Sequence, residues 1–99
     1  MATGGVYYPG TLVRLTGTFT VDGEPTDPTT VECIVRDPEG GRTVYVYGQD
    51  DELQKVETGV YQLELTPDKP KRWYYAFKGT GAAQATAEAT FTVRETKAL

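Results

Sequence analysis

The chain contains no histidine, no serine and no asparagine, and its one cysteine is Cys33. Each absence closes a class of chemistry. Without histidine and serine there is no Ser-His-Asp or Cys-His nucleophile and no imidazole metal ligand. Without asparagine there is no N-glycosylation acceptor and no lysine–asparagine isopeptide cross-link. A lone cysteine excludes an internal disulfide and a thiolate zinc cluster, so the fold holds without covalent staples, as suits a reducing compartment. No stretch approaches the roughly 20 apolar residues of a membrane helix. The start, Met1-Ala2-Thr3-Gly4-Gly5, has neither a basic region nor an apolar run, which predicts no secretory signal and synthesis in a cytoplasm. Cationic surface is also scarce. Ten basic against 14 acidic residues give a net charge of −4, which argues against nucleic acid as a partner. An enzyme would have to work with carboxylates, lysine or tyrosine alone, and no pair of such groups stands out, so the expectation is a non-enzyme without cofactor.

What the chain does have is β-pattern. With 99 residues, 11 glycines and 6 prolines it suits one domain of short strands and frequent turns. The fullest signal runs from Thr58 to Gly81. Tyr61, Leu63 and Leu65 alternate with Gln62 and Glu64; after Pro67-Asp68-Lys69-Pro70, Trp73, Tyr75 and Phe77 alternate with Tyr74, Ala76 and Lys78. Period-two alternation marks strands with one buried face, and the two prolines stop either strand from running through the turn. The stretch reads as two adjacent strands.

The same reading places strands at Leu12 to Val21, Thr30 to Arg36, Arg42 to Tyr47 and Thr86 to Arg94, with a short one near Leu53 to Glu57. Gly17 falls on an inner face, as a bulge or a close crossing of the other sheet. Cys33 falls among buried positions as a small apolar filler. Ala87, Ala89, Phe91 and Val93 are expected inward. On the third strand Val44 and Val46 oppose Tyr45 and Tyr47, and one of these pairs must meet the core while the other covers a sheet edge or lies exposed. Asp50-Asp51-Glu52 reads as a solvated acidic loop; consecutive acids lack the alternating spacing of a dedicated calcium loop. The expected architecture is an all-β, antiparallel sandwich of six to seven strands over residues 11–99, of the wider immunoglobulin-like class, preceded by an extended N-terminal arm over 1–10.

Candidate contact residues follow from what the core leaves free. Tyr7 and Tyr8 in the arm suit an interface, where tyrosine is enriched. Lys69, Lys71 and Arg72 form the one local basic run, suited to an acidic partner surface or to a plain solvated turn. Tyr74, with Lys78, lies on the side opposite the aromatic core. Tyr45, Tyr47 or Tyr74 would be the stacking residues if the domain bound sugars.

The run T-G-V-Y-x-L-x-L, a turn, R-W-Y-Y-x-F-x-G-T-G and a closing F-T-V-R, with Y-Y-P-G-T-L-V-R-L ahead of them, resembles small immunoglobulin-like virion proteins of tailed bacteriophages over roughly Tyr8 to Arg94. The family often sets glycine before the aromatic strand, where this chain has Lys71-Arg72. The resemblance implies a structural virion protein made in the host cytoplasm, foremost a capsid decoration protein bound to the major capsid protein. A head–tail or tail accessory protein is the alternative, and self-association is compatible with either. A carbohydrate- or host-surface-binding module is the reading from another class.

Overall fold

The computed structural model describes residues 5–98, and their regular structure is almost all strand. Among the described residues ten strands are formed: β1 (Val6–Tyr7), β2 (Val13–Thr18), β3 (Thr20–Val21), β4 (Glu24–Pro25), β5 (Thr30–Arg36), β6 (Arg42–Val46), β7 (Leu53–Glu57), β8 (Val60–Leu65), β9 (Lys71–Thr80) and β10 (Ala85–Val93). A single 3-10 turn, Gly81–Ala83, joins the last two. Five strands make one sheet in the order β1-β10-β9-β5-β6, and three make the other in the order β2-β8-β7. The pairings are antiparallel except that β1 runs parallel to β10. The molecule is therefore an immunoglobulin-like β-sandwich.

The alternation read from Tyr61 to Phe77 is the core. Tyr61, Leu63, Trp73, Tyr75 and Phe77 are all buried, and Leu65 is partly so. Burying each large apolar side chain is worth about 1.5–3 kcal/mol relative to leaving it in water. The two strands that carry them are not neighbours in one sheet, however. β8 belongs to the three-stranded sheet and β9 to the five-stranded one, so the proline-marked segment crosses between layers and the two aromatic faces meet across the interior. Buried Pro67 anchors that crossing through its carbonyl, which accepts the Gly10 N–H at 3.0 Å.

Other boundaries shift for physical reasons. The strand expected over Leu12 to Val21 breaks at Phe19, whose N–H donates to the Gly59 carbonyl at 2.7 Å and whose carbonyl accepts the Thr26 N–H at 3.0 Å. Beyond it Thr20–Val21 turns away and pairs with Glu24–Pro25, leaving Val21 exposed. Ala87 is exposed although it shares the inward side of β10, because the three-stranded sheet ends at β2 and leaves a groove between β2 and the first half of β10. Tyr45 of β6 packs against the core, and Tyr47, just past the strand and still exposed, meets Tyr61 edge-on at 5.2 Å. At an open sandwich edge a tyrosine fills apolar space while its hydroxyl reaches water. Val44 and Val46 consequently lie on the outer face.

Of the arm over 1–10, the described part is a sheet edge. Gly5 accepts a backbone hydrogen bond from Thr92, and Tyr7 accepts one from Arg94; Met1 to Gly4 lie outside the described residues.

Candidate interaction surface

The outer face of the five-stranded sheet is assembled by strand register. Arg42 on β6 stands opposite Arg36 on β5, Arg36 opposite Tyr74 on β9, and Tyr74 opposite Thr90 on β10. The neighbouring row runs Val44, Ile34, Ala76, Glu88, and the next Val46, Glu32, Lys78, Thr86. Arg72, two residues before Tyr74, stands opposite Thr92, which is itself opposite Val6. Tyr74 is 41% exposed, Val44 37% and Val6 59%, so the face offers an aromatic and aliphatic centre to solvent. A shallow hollow of about 250 Å³ lies in it, with Ile34 and Ala76 as its floor and Tyr74, Arg36, Arg42 and Glu88 around it.

The arginines of this face stand outside the ion pairs of the described residues, as Lys71, Lys78, Arg94 and Lys97 also do. Arg14 pairs with Glu64 at 2.8 Å, Lys55 with Asp27 at 2.6 Å and Lys69 with Asp37 at 3.1 Å. Among the described residues, Arg36, Arg42 and Arg72 make no such ion pair; Arg36 donates only to the Gly40 carbonyl, at 3.3 Å. Three guanidinium groups thus frame Tyr74 in a chain whose net charge is −4. Arginine and tyrosine are the residue types that recur at energetic centres of protein interfaces.

The contact residues expected from sequence divide between three places. Arg72 and Tyr74 lie on this face. Lys69 does not: its ammonium is held by Asp37 and Glu39, and its carbonyl accepts the Trp73 indole N–H at 2.9 Å, so it ties the β5–β6 turn to the sheet crossing. Asp37 in turn accepts the N–H groups of Glu39 and Gly41, and those bonds together with Lys69 hold its carboxyl below the usual range. Lys71 is exposed at the start of β9, with a φ of 92°. Tyr7 is half-buried, edge-on to Phe91 at 5.9 Å, and serves the core more than a partner. Tyr8 is exposed, with the Arg94 guanidinium 5.3 Å from its ring centre, at the sheet rim. Arg36 and Arg42 escaped sequence reasoning because both lie thirty or more residues from Arg72 and Tyr74 along the chain; the signal available was their outward parity on strands flanking a turn.

The remaining groups are engaged structurally. Tyr45 is on the inner side and Tyr74 on the outer, so the three tyrosines considered for sugar stacking share no face. Asp50 accepts the Val46 N–H at 2.8 Å and thereby closes the acidic loop. A larger cleft of about 650 Å³ between β6 and the end of β8 is bordered by Tyr45, Glu52, Glu64 and Leu65; Glu64 is the partner of Arg14. Cys33 is fully buried, and burial pushes its thiol up to about 12.

No family model matches this chain, and neither does any curated protein. Among solved structures it is similar to a proposed glycoside hydrolase from Bacteroides vulgatus, with a TM-score of 0.62 and 14% identity, over 95% of this chain. The chain spans only 17% of that protein's length, and at such identity the likeness is one of fold.

Proposed function

We propose that the chain is a non-enzymatic structural protein of a tailed-bacteriophage virion, a capsid decoration protein that binds the head surface through the outer face of its five-stranded sheet. The observation that carries this reading is the exposed Tyr74, set among Arg36, Arg42 and Arg72 beside the apolar Val44–Ile34–Ala76 row. Such a face has the composition of a protein contact, and the T-G-V-Y to F-T-V-R resemblance supplies the virion setting. The partner is then the major capsid protein or another virion protein. Co-sedimentation of the purified chain with matching undecorated capsids tests it, and failure to pellet with them removes its main support. Density at the tail rather than on the shell would move the same contact to a head–tail or tail accessory role.

A second reading draws on the fold likeness to part of a proposed glycoside hydrolase. It makes the domain a carbohydrate-binding module that stacks a sugar on Tyr74. A glycan array without hits removes it.

A further inference from the structure

We propose that the Tyr74 face recognises an acidic, extended polypeptide segment: alternate carboxylates paired with Arg36, Arg42 and Arg72, and a following apolar side chain seated in the hollow over Ile34 and Ala76. This rests on the reading that the chain acts by binding a protein.

The carrying observation is a local violation of sheet chemistry. Arg36 and Arg42 are direct cross-strand partners, and like charges directly opposite one another destabilise a sheet. The chain has 14 acidic side chains, yet among the described residues none forms an ion pair with either arginine. A cost retained on an exposed face, offset within the chain only by the 3.3 Å bond from Arg36 to the Gly40 carbonyl, marks a site completed by something else. Glu88, at the edge of the hollow, narrows acceptance to a ligand that carries its charge on the arginine side.

Geometry selects an extended chain. Arg36 and Arg72 lie one strand apart and two residues along, roughly 8 Å from strand spacing and rise. Alternate residues of an extended strand are roughly 7 Å apart and point the same way, so two carboxylates at alternate positions reach both arginines, and planar guanidinium suits bidentate carboxylate pairing. The apolar floor favours a polypeptide over a polyphosphate: a nucleic-acid backbone has nothing to place over Ile34 and Ala76, and its charge density meets a net-negative protein.

The test uses the full chain and a dye-labelled synthetic peptide with glutamate, glutamate and leucine at alternate positions and threonine between them, followed by anisotropy. Expected are saturable binding that weakens with added salt, and a loss of about tenfold or more when glutamine replaces both glutamates. Arg42→Glu is the diagnostic variant. It converts the opposed pair into an attractive one, so its Tm should rise by about 1–5 °C while its affinity for the peptide falls about tenfold or more. Tyr74→Ala and Arg72→Gln should weaken binding without raising Tm. Equal affinity for the glutamate and glutamine peptides, no binding of either, a lower Tm for Arg42→Glu, or tighter binding of a single-stranded oligonucleotide or of anionic vesicles than of the peptide overturns the proposal. Capsid co-sedimentation separates the two readings. Wild type and Arg42→Glu pelleting equally with capsids leaves the virion reading and removes this one; peptide binding without capsid binding does the reverse.

Discussion

Gly17 of β2 lies directly against the ring of Phe77 in β9, so that a Cβ at position 17 would stand 2.5 Å from Phe77 Cγ. The contact is answered a few residues away, where a Cβ on Gly79 of β9 would stand 2.7 Å from Phe19. Two glycine–phenylalanine contacts of opposite sense thus set the separation of the sheets at one end of the sandwich. Gly17→Ala should therefore destabilise, by about 1–3 kcal/mol as for other overpacked cores, despite removing a flexible residue from a strand. For a domain of this size that is a fall in Tm of about 4–8 °C per kcal/mol. Because the clash is with a ring, Phe77→Leu in the Gly17→Ala background should cost less than the sum of the two single changes. Additive melting shifts would show that the contact does not limit sheet approach.

Lys71 holds a φ of 92° at the start of β9, a region that side chains other than glycine's enter at a cost of about 1–3 kcal/mol. The departure noted in sequence, Lys71-Arg72 in place of glycine before the aromatic strand, thus leaves the backbone turn in glycine's conformation. Lys71→Gly should raise the unfolding free energy by about 1 kcal/mol, the gain limited by glycine's larger freedom in the unfolded chain. Denaturant titration checks this. A lower midpoint would mean that the lysine side chain makes a stabilising contact outweighing the strain.

The core was legible because period-two alternation reports burial directly, as at Tyr61, Leu63, Trp73, Tyr75 and Phe77. The sheet assignment was not. Alternation says that a strand has an inner face and is silent on which neighbour it pairs with, so β8 and β9, consecutive in the chain, read as adjacent although they face each other across the core. The contact face suffered from the same blindness. Arg72 and Tyr74 lie two residues apart and could be found, while Arg36 and Arg42 join them only through the β5–β9 and β5–β6 registers. Lys69 misled for the opposite reason: it stands beside Lys71 in the chain, but Asp37, from a turn 32 residues away, takes its charge.

Stability should hold a plateau between about pH 4 and 10 and decline on both sides. Asp27 bonds Lys55 and accepts the N–H of Gly59 and the hydroxyl of Tyr61, and its carboxyl is held below its ordinary 3.8, chiefly by Lys55 and then Gly59. Asp37 is lowered in the same direction by Gly41 and Lys69. A lowered folded-state value stabilises above the unfolded one and is lost as pH falls through the folded one, so the acid decline begins below about 3.8. On the alkaline side burial and Asp27 push Tyr61 up to about 12 from 10.0, and its stabilisation is lost as pH rises across that window. Asp27→Asn should flatten part of the acid slope and reduce the alkaline one. Melting temperatures from pH 2 to 11 measure both; an unchanged acid slope would remove Asp27 from its origin.

Cys33 gives a site-specific readout of global opening. It is fully buried at the centre of β5, between Tyr45 on β6 and Phe77 on β9, and burial raises its thiol to about 12 from 9.0. Reaction needs the thiolate and access together, and the folded state denies both. Alkylation at pH 8 should therefore proceed only through molecules that have opened far enough to separate the sheets. With opening and closing fast relative to alkylation, its rate is the free thiol's intrinsic reactivity scaled by the opening equilibrium. Gly17→Ala should then accelerate labelling by the same factor by which it lowers the folding equilibrium constant, about tenfold for each 1.4 kcal/mol. Lys71→Gly should slow it. Mass spectrometry of timed iodoacetamide reactions measures these rates. A labelling rate equal to that of a small free thiol, or one that ignores both substitutions, would show that Cys33 is reached by a local opening of β5 instead.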